Sequence, residues 1–454
     1  MFRVLHRRKR AAKIKCPVST EEIQLCRFAF VDDTDLFALT EMENNPVAAA
    51  EKMQKTLNDW ERVAKTTGGA LEPSKSFAWV VAFDWNKADW KYKKTRKDRN
   101  IKISTKDKDE RTVPLKVLNP SKSEKMLGVF LAPDGNNERQ KRNLKRKMRK
   151  LGEYVRTGHV NKREAWISLN LIAMKSLEYA LPAMTFSEQE CNELMWPLLK
   201  HFLPKAGINR YVKREVLYAT HNAQGLNVRN PYLIQGVAHV VDITDHLWKK
   251  SVTGHMIRTT LEHLRIELGE NIDILNSDWK EYESQVMKKS WIQDTWRFMS
   301  EFNITLEDET EKIQDNRQGE KVIMEEFRKN TLIKSSQMKV LNKCRLFLKV
   351  FMLSDITTGD GREIVRQAWS DKNFKCKTRE SKYWPLWGTP TTAEWIIWRF
   401  ALKSTFCMSH ERKLNSKLGT WVRTPNQWQW FLTTIEKKRF YWKGKEKNGE
   451  HMRG

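Results

Sequence analysis

Residues 25–39 read Leu25-Cys26-Arg27-Phe28-Ala29-Phe30-Val31-Asp32-Asp33-Thr34-Asp35-Leu36-Phe37-Ala38-Leu39. Residues 25–31 and 36–39 have the apolar and aromatic character of strands, and residues 32–35 make an acidic connection of hairpin length. Adjacent carboxylates at such a tip repel one another, and charge held beside apolar strands needs a cation to offset its cost. Magnesium suits that role, because it takes carboxylate and water oxygens and leaves positions for phosphate. Two-metal phosphoryl transfer requires acids fixed on a rigid element, which makes Asp32 and Asp33 the candidate metal ligands. The competing reading is an ordinary acidic turn, since Asp is common wherever a chain reverses.

Downstream, Asn44 or Asn45 caps a helix with Pro46 in its first turn. Met53, Leu57, Trp60 and Ala64 recur at helical spacing, and Gly68-Gly69 ends the run. Residues 77–83 read as a strand, 85–112 as a polar, Lys-rich loop or loose hairpin, and 115–117 and 126–131 as further short strands. A turn follows at Pro133-Asp134-Gly135. From Glu138 the pattern is helical: Arg139, Lys141, Arg142, Lys145, Arg146, Lys147, Arg149 and Lys150 surround a stripe of Leu144, Met148 and Leu151. Phosphate contact by Arg139, Arg142, Lys145, Arg146 and Arg149 is one reading of that surface, and a solvated charged face the other. Helices are expected at 169–179, 192–202 and 234–248. Residues 251–454 read as helical and Trp-rich, with Thr391 and Glu394 forming a capping box. Tryptophans 384, 387, 395, 398, 421, 428, 430 and 442 are core residues at helical spacing, or else base-stacking platforms.

The chain has 454 residues and a formal net charge of +27, which favours a polyanionic partner. Hydrophobic residues at 40% suffice for a core, so wholesale disorder is excluded. Six cysteines without a C-x-x-C pair signal neither a zinc site nor a disulfide framework, and they read as ordinary structural thiols. No apolar run suits a bilayer span or a secretory signal, so an intracellular protein is expected, nuclear rather than cytoplasmic. Residues 1–22 read as a basic disordered tail. The run Arg7-Arg8-Lys9-Arg10 in it is a nuclear address, a nucleic-acid arm, part of a mitochondrial presequence, or simply solvated.

Phe30-Val31-Asp32-Asp33 resembles the F/Y-x-D-D box of reverse transcriptases. Trp60, Gly68-Gly69-Ala70-Leu71 and Lys75-Ser76 resemble the next palm motif of non-LTR (LINE-like) retroelements, and Leu127-Gly128-Val129 the primer grip. The texture is similar to reverse-transcriptase-like reading frames of diatom and oomycete genomes, by motif from about residue 25 to 230. The resemblance implies that Asp32 ligates Mg2+ with Asp33 in support, that Lys75 stabilises the leaving pyrophosphate, and that Leu127 and Gly128 approach the primer end. Left to themselves, Lys75 is a surface lysine and Gly128 a bulge glycine.

The family also has a third carboxylate, on a strand N-terminal to this hairpin, a glycine-rich template grip and fingers. The residues before Asp32 match none of these, so an N-terminally truncated fragment, inactive as a polymerase in isolation, is expected. The expected architecture is α+β: the C-terminal half of an antiparallel palm (23–136), a helical thumb-like region (137–250) and a helical C-terminal region (251–454). The expected function is that of a fragment of an RNA-directed DNA polymerase, with an RNA template and DNA primer, or duplex nucleic acid, as partner. The alternatives are a non-catalytic, sequence-independent nucleic-acid-binding protein and, third, a basic scaffold.

Overall fold

The computed structural model describes residues 12–25, 27–30, 33–39, 45–86, 89–93, 101–286, 290–306, 312–370, 384–385, 387–408, 411–422, 429–432, 439–442 and 452–453. The chain is α+β, with helices predominating over small sheets. It forms two compact units, one of residues 1–14, 22–84 and 91–254, the other of 15–21, 85–90 and 255–454.

In the first unit, β1 (Ala12–Lys15) pairs with β2 (Glu22–Leu25). Residues 12–22 are therefore ordered, against the expectation of a tail that their charge alone suggests. Ile14 and Ile23 are partly buried in the two strands, and Lys13 reaches Glu22 at 3.2 Å. β3 (Arg27–Phe30) and β4 (Asp33–Leu36) pair antiparallel, Phe28 opposite Asp35 and Phe30 opposite Asp33. Of the strand expected over 25–31, Leu25 belongs to β2 and Arg27–Phe30 to β3, while Cys26 and Val31 lie outside the described residues. The acidic connection is also shorter than expected, because Asp33, Thr34 and Asp35 already belong to β4.

Helix α1 (Pro46–Thr66) starts as its sequence predicts: Asn45 Oδ1 accepts the Val47 and Ala48 amides at 3.0 and 3.1 Å, and Pro46 needs no partner in the first turn. Ala50 and Leu57 of α1 share a core with Val80, Ile101 and Ile103, against which Leu36 of β4, Leu71 and Val117 pack. That core seats the acidic hairpin.

Strand β5 (Phe77–Trp79) precedes two ribbons, β6 (Phe83–Asn86) with β7 (Asp89–Tyr92) and β8 (Ser104–Lys106) with β9 (Thr112–Pro114). The chain then returns so that β10 (Lys116–Leu118) lies parallel to β5, Phe77 opposite Lys116. The strands expected to build an antiparallel palm do not join into one sheet among the described residues. Among the described residues the strands of this unit pair in twos, and the long excursion between β5 and β10 is a crossover, which permits parallel pairing. β11 (Glu124–Met126) and β12 (Val129–Leu131) make a hairpin turned by Leu127 (φ 45°) and Gly128 (φ 86°). Positive φ at both turn residues matches the twist of the strands.

The basic helix α2 is Glu138–Thr157. Its buried positions are Gln140, Leu144, Met148, Gly152 and Val155, so the seam passes beside Leu151 rather than over it. α3 (Lys162–Ser168) runs through a π-helical turn, Leu169–Ala173, into α4 (Met174–Glu178). α5 (Glu188–Lys205) packs on α2, and α6 (Pro231–His246) follows.

The second unit holds α7 (Val252–Leu268), α8 (Trp291–Glu301), α9 (Ile323–Lys329), α10 (Ser335–Leu348) and α11 (Thr392–Phe406). The capping box at Thr391 and Glu394 is present. The core joins Phe327, Leu341, Cys344, Trp395, Trp398 and Phe406. Arg345, fully buried, donates to the carbonyls of Ile266 at 2.7 Å and Glu267 at 2.9 Å. A three-stranded sheet, β13 (Gln429–Leu432), β14 (Arg439–Trp442) and β15 (Met452–Arg453), departs from the all-helical expectation for this region.

Candidate nucleic-acid interface

Alternation along β4 puts Asp33 and Asp35 on the face opposite Leu36, which enters the α1 core. Asp33 is exposed, and Asp35 is half-buried across from Phe28. Burial first, then the Asp33 charge, push the Asp35 carboxyl above the ordinary aspartate range. Asp32 lies outside the described residues. Among the described residues, neither Asp33 nor Asp35 belongs to a group of three metal-ligating side chains.

Lys75 is exposed, in a turn before β5, its amide donating to Glu72 O at 3.2 Å. Among the described residues it makes no ion pair with Asp33 or Asp35, and β3–β4 and β5–β10 are separate sheets. Leu36 and Leu71, which flank the two motifs, meet on Trp60.

Leu127 and Gly128 form the exposed tip of the β11–β12 hairpin. Tyr179 O–H donates to Leu127 O at 2.6 Å, and a Cβ on Gly128 would lie 3.2 Å from Tyr179 Cε1. Gly128 is therefore required by both its left-handed φ and the ring packed on it.

The five cations singled out on α2 separate into two groups. Arg139 is engaged structurally: it donates to Ser123 O, sits 3.3 Å from Glu124 and lies 4.2 Å over the Phe130 ring. Lys145 reaches Glu193 at 3.5 Å, and Lys141 is bound by Glu190 at 3.0 Å and Glu193 at 3.5 Å. Burial alone would lower the Lys141 pKa, but these two carboxylates hold it above its ordinary value. The sequence of the helix does not reveal these partners, because the acids belong to α5. Arg142, Arg146 and Arg149 are exposed, as are Lys147 and Lys150, and none of the five pairs with an acid among the described residues. Arg142, Arg146 and Arg149 follow at i, i+4 and i+7, so they form one stripe along the helix. At 1.5 Å rise per residue the stripe spans roughly 10 Å.

Three of these tryptophans, Trp384, Trp395 and Trp398, are buried, and the Trp398 indole N–H donates to Ala368 O at 3.1 Å. Trp421 lies under the Arg317 guanidinium at 4.8 Å. Trp428 falls outside the described residues.

One cluster has no counterpart in the sequence patterns. Cys16, by sequence an ordinary thiol, lies with Glu21 and His255, their ligand atoms within 4.8 Å of one another. Cys16 and His255 are 239 positions apart, which no local pattern can signal.

No helix among the described residues is long and apolar enough to cross a membrane. Compared with known protein families and with curated proteins, the chain matches none of them.

Proposed function

We propose that this chain binds nucleic acid without sequence preference through α2, as the palm–thumb part of a polymerase resembling non-LTR reverse transcriptases. The observation that carries the reading is the stripe of Arg142, Arg146 and Arg149, without acid partners among the described residues while Lys141 and Lys145 on the flank are neutralised by α5. A protein that needed this charge only for solubility would gain nothing by aligning it. Phosphates spaced along a backbone do reward a row of guanidinium groups, each displacing condensed counterions.

The palm half of the reading rests on the acidic hairpin, seated by Leu36 on the core that also holds Leu71, β5 and β10. Asp33 and Asp35 place two carboxyls on one face, and burial, then the Asp33 charge, raise the Asp35 carboxyl above the ordinary range. Mg2+ held by Asp32 and Asp33, as the resemblance implies, would supply Lewis-acid stabilisation of phosphate oxygens. Asp33 and Asp35 belong to no group of three metal-ligating side chains among the described residues, and binding without polymerisation is the expected behaviour.

The test is fluorescence anisotropy of a labelled RNA–DNA primer–template at several salt concentrations, beside primer extension with magnesium. Replacing Arg142, Arg146 and Arg149 together by Ala should flatten the log K against log salt slope by roughly 2–3, about one for each phosphate that is no longer neutralised. An unchanged slope sinks the α2 interface. Extension that depends on Asp32 overturns the non-catalytic part and leaves the polymerase resemblance standing.

A further inference from the structure

We propose that Cys16, Glu21 and His255 form a zinc site fastening the Lys15–Glu21 segment to helix α7, a site independent of the nucleic-acid reading. Cys16 Sγ lies 3.8 Å from His255 Nε2, and His255 Nδ1 lies 3.6 Å from Glu21 Oε2. An N···O separation of 3.6 Å is too long for a good hydrogen bond. All three ligand atoms fall within 4.8 Å, and closing a tetrahedral shell at Nε2, where Cys16 already lies, takes a swing of the exposed Glu21 side chain round from Nδ1.

The surroundings are built for a fixed geometry. His255, Thr259 and Glu262 stand at i, i+4 and i+7, on one face of α7. The Thr259 hydroxyl is 3.0 Å from Cys16 Sγ and orients it. Glu262, 2% exposed, accepts the Val18 and Ser19 amides at 2.8 and 3.1 Å, fixing the turn that presents Cys16 and Glu21. Such support of the residues around a ligand set is what orients ligands and raises affinity. The donor set also selects the metal. A thiolate and an imidazole favour zinc over magnesium or calcium, and the carboxylate completes three protein ligands. The Glu21 side chain is 57% exposed, so water reaches the fourth position from its side. The same Glu21 Oε2 lies 3.4 Å from Arg258, a contact that ligation would exchange for the metal.

Ligation is an exchange of proton for metal. The Cys16 S–H bond breaks, its proton goes to solvent, and the thiolate lone pair forms the S–Zn bond, with no change in oxidation state. Burial, foremost among its causes, pushes the free Cys16 thiol above its ordinary pKa, so the unmetallated form is an inert buried thiol rather than a nucleophile.

The experiment uses the full chain without a histidine tag. Zinc is measured by mass spectrometry after dialysis, and the metal-free protein is titrated with Co2+ while thiolate-to-cobalt charge-transfer absorption is followed. Expected are stoichiometric zinc and a saturable charge-transfer band, both lost in Cys16→Ser and His255→Gln. Glu21→Gln, an exposed change that leaves the fold intact, should weaken zinc binding about tenfold or more. Wild-type protein that neither retains zinc nor develops the band overturns the site, as does a band that survives in a folded Cys16→Ser variant. Should Cys16→Ser fail to fold, the Glu21→Gln affinity decides: unchanged zinc binding refutes the proposed ligand set.

Discussion

Gly152 sits in the seam between α2 and α5, and replacing it by Ala sets two effects of opposite sign against each other. In an exposed helix interior Ala is favoured over Gly by about 1 kcal/mol. Here, however, a Cβ would lie 2.5 Å from Pro197 O and 3.1 Å from His201 Cδ2. The His201 ring can swing aside. The Pro197 carbonyl is backbone of α5 and can yield only if the two helices part. Overpacking of this kind costs roughly 1–3 kcal/mol, and a rigid obstacle places it at the upper end. The net expectation for Gly152→Ala is a loss of about 1–2 kcal/mol, the packing cost outweighing the propensity gain. With an m value of about 2 kcal/mol per M, the urea midpoint of the first unit should fall by roughly 0.5–1 M. Two compact units need not unfold together, so hydrogen exchange of the α2 amides supplies the local readout beside circular dichroism. Lys147→Ala, exposed on the same helix, controls for propensity and should change little. A Gly152→Ala midpoint equal to or above wild type would refute the close crossing of α2 and α5.

Two further outcomes follow from buried and half-buried charge. The Asp35 pKa is raised on folding, so its proton is held more tightly in the native state. That favours folding at low pH and is lost as pH climbs through the raised value. Asp35→Asn should therefore stabilise the first unit at neutral pH, with the gain vanishing as pH falls below the ordinary aspartate value of about 4. A gain equal at all pH values in a urea-midpoint series contradicts this. In the second unit, Arg328 donates to Glu270 Oε1 at 2.6 and 2.9 Å, and Tyr282 O–H donates to the other oxygen at 2.8 Å. Burial outweighs both partners and raises the Glu270 carboxyl above the usual range. Arg328→Met, which strands a carboxylate only 1% exposed, should cost about 3–5 kcal/mol in thermal or urea unfolding, with Glu270→Gln restoring part of it. A cost no greater than that of a surface substitution would mean the pair is solvated.

Much of the architecture is written in short-range chemistry. Asn45 with Pro46 and Thr391 with Glu394 each specify their structure within a few residues and are found where their patterns predict, whereas the Leu127-Gly128 turn splits the run 126–131 that reads as a single strand. The amphipathic period of α2 likewise fixes its buried face to within one position. Long-range partnership is not legible in this way. The acids that neutralise Lys141 and Lys145 lie on α5, about 50 residues away, so the basic helix reads as uniformly free. Residues 1–22 read as a tail because the basic residues Arg3, Arg7, Arg8, Lys9 and Arg10 dominate the reading, although the segments 12–15 and 22–25 form strands. The parallel pairing of β5 with β10 depends on how the intervening chain returns, which alternation within either strand does not encode. At the acidic hairpin the residue types are legible, while the register, which makes Thr34 and Asp35 strand rather than turn, is not.

The pairing pattern also orders events in time. β3 with β4, β8 with β9 and β11 with β12 each close within a few residues, so each ribbon has its partner soon after it is synthesised. The Lys15–Glu21 segment is different: Cys16 must wait for residues 239 and 243 positions later before His255 and Thr259 exist to receive it. Among the earliest described residues to be made, it is thus among the last to find its place.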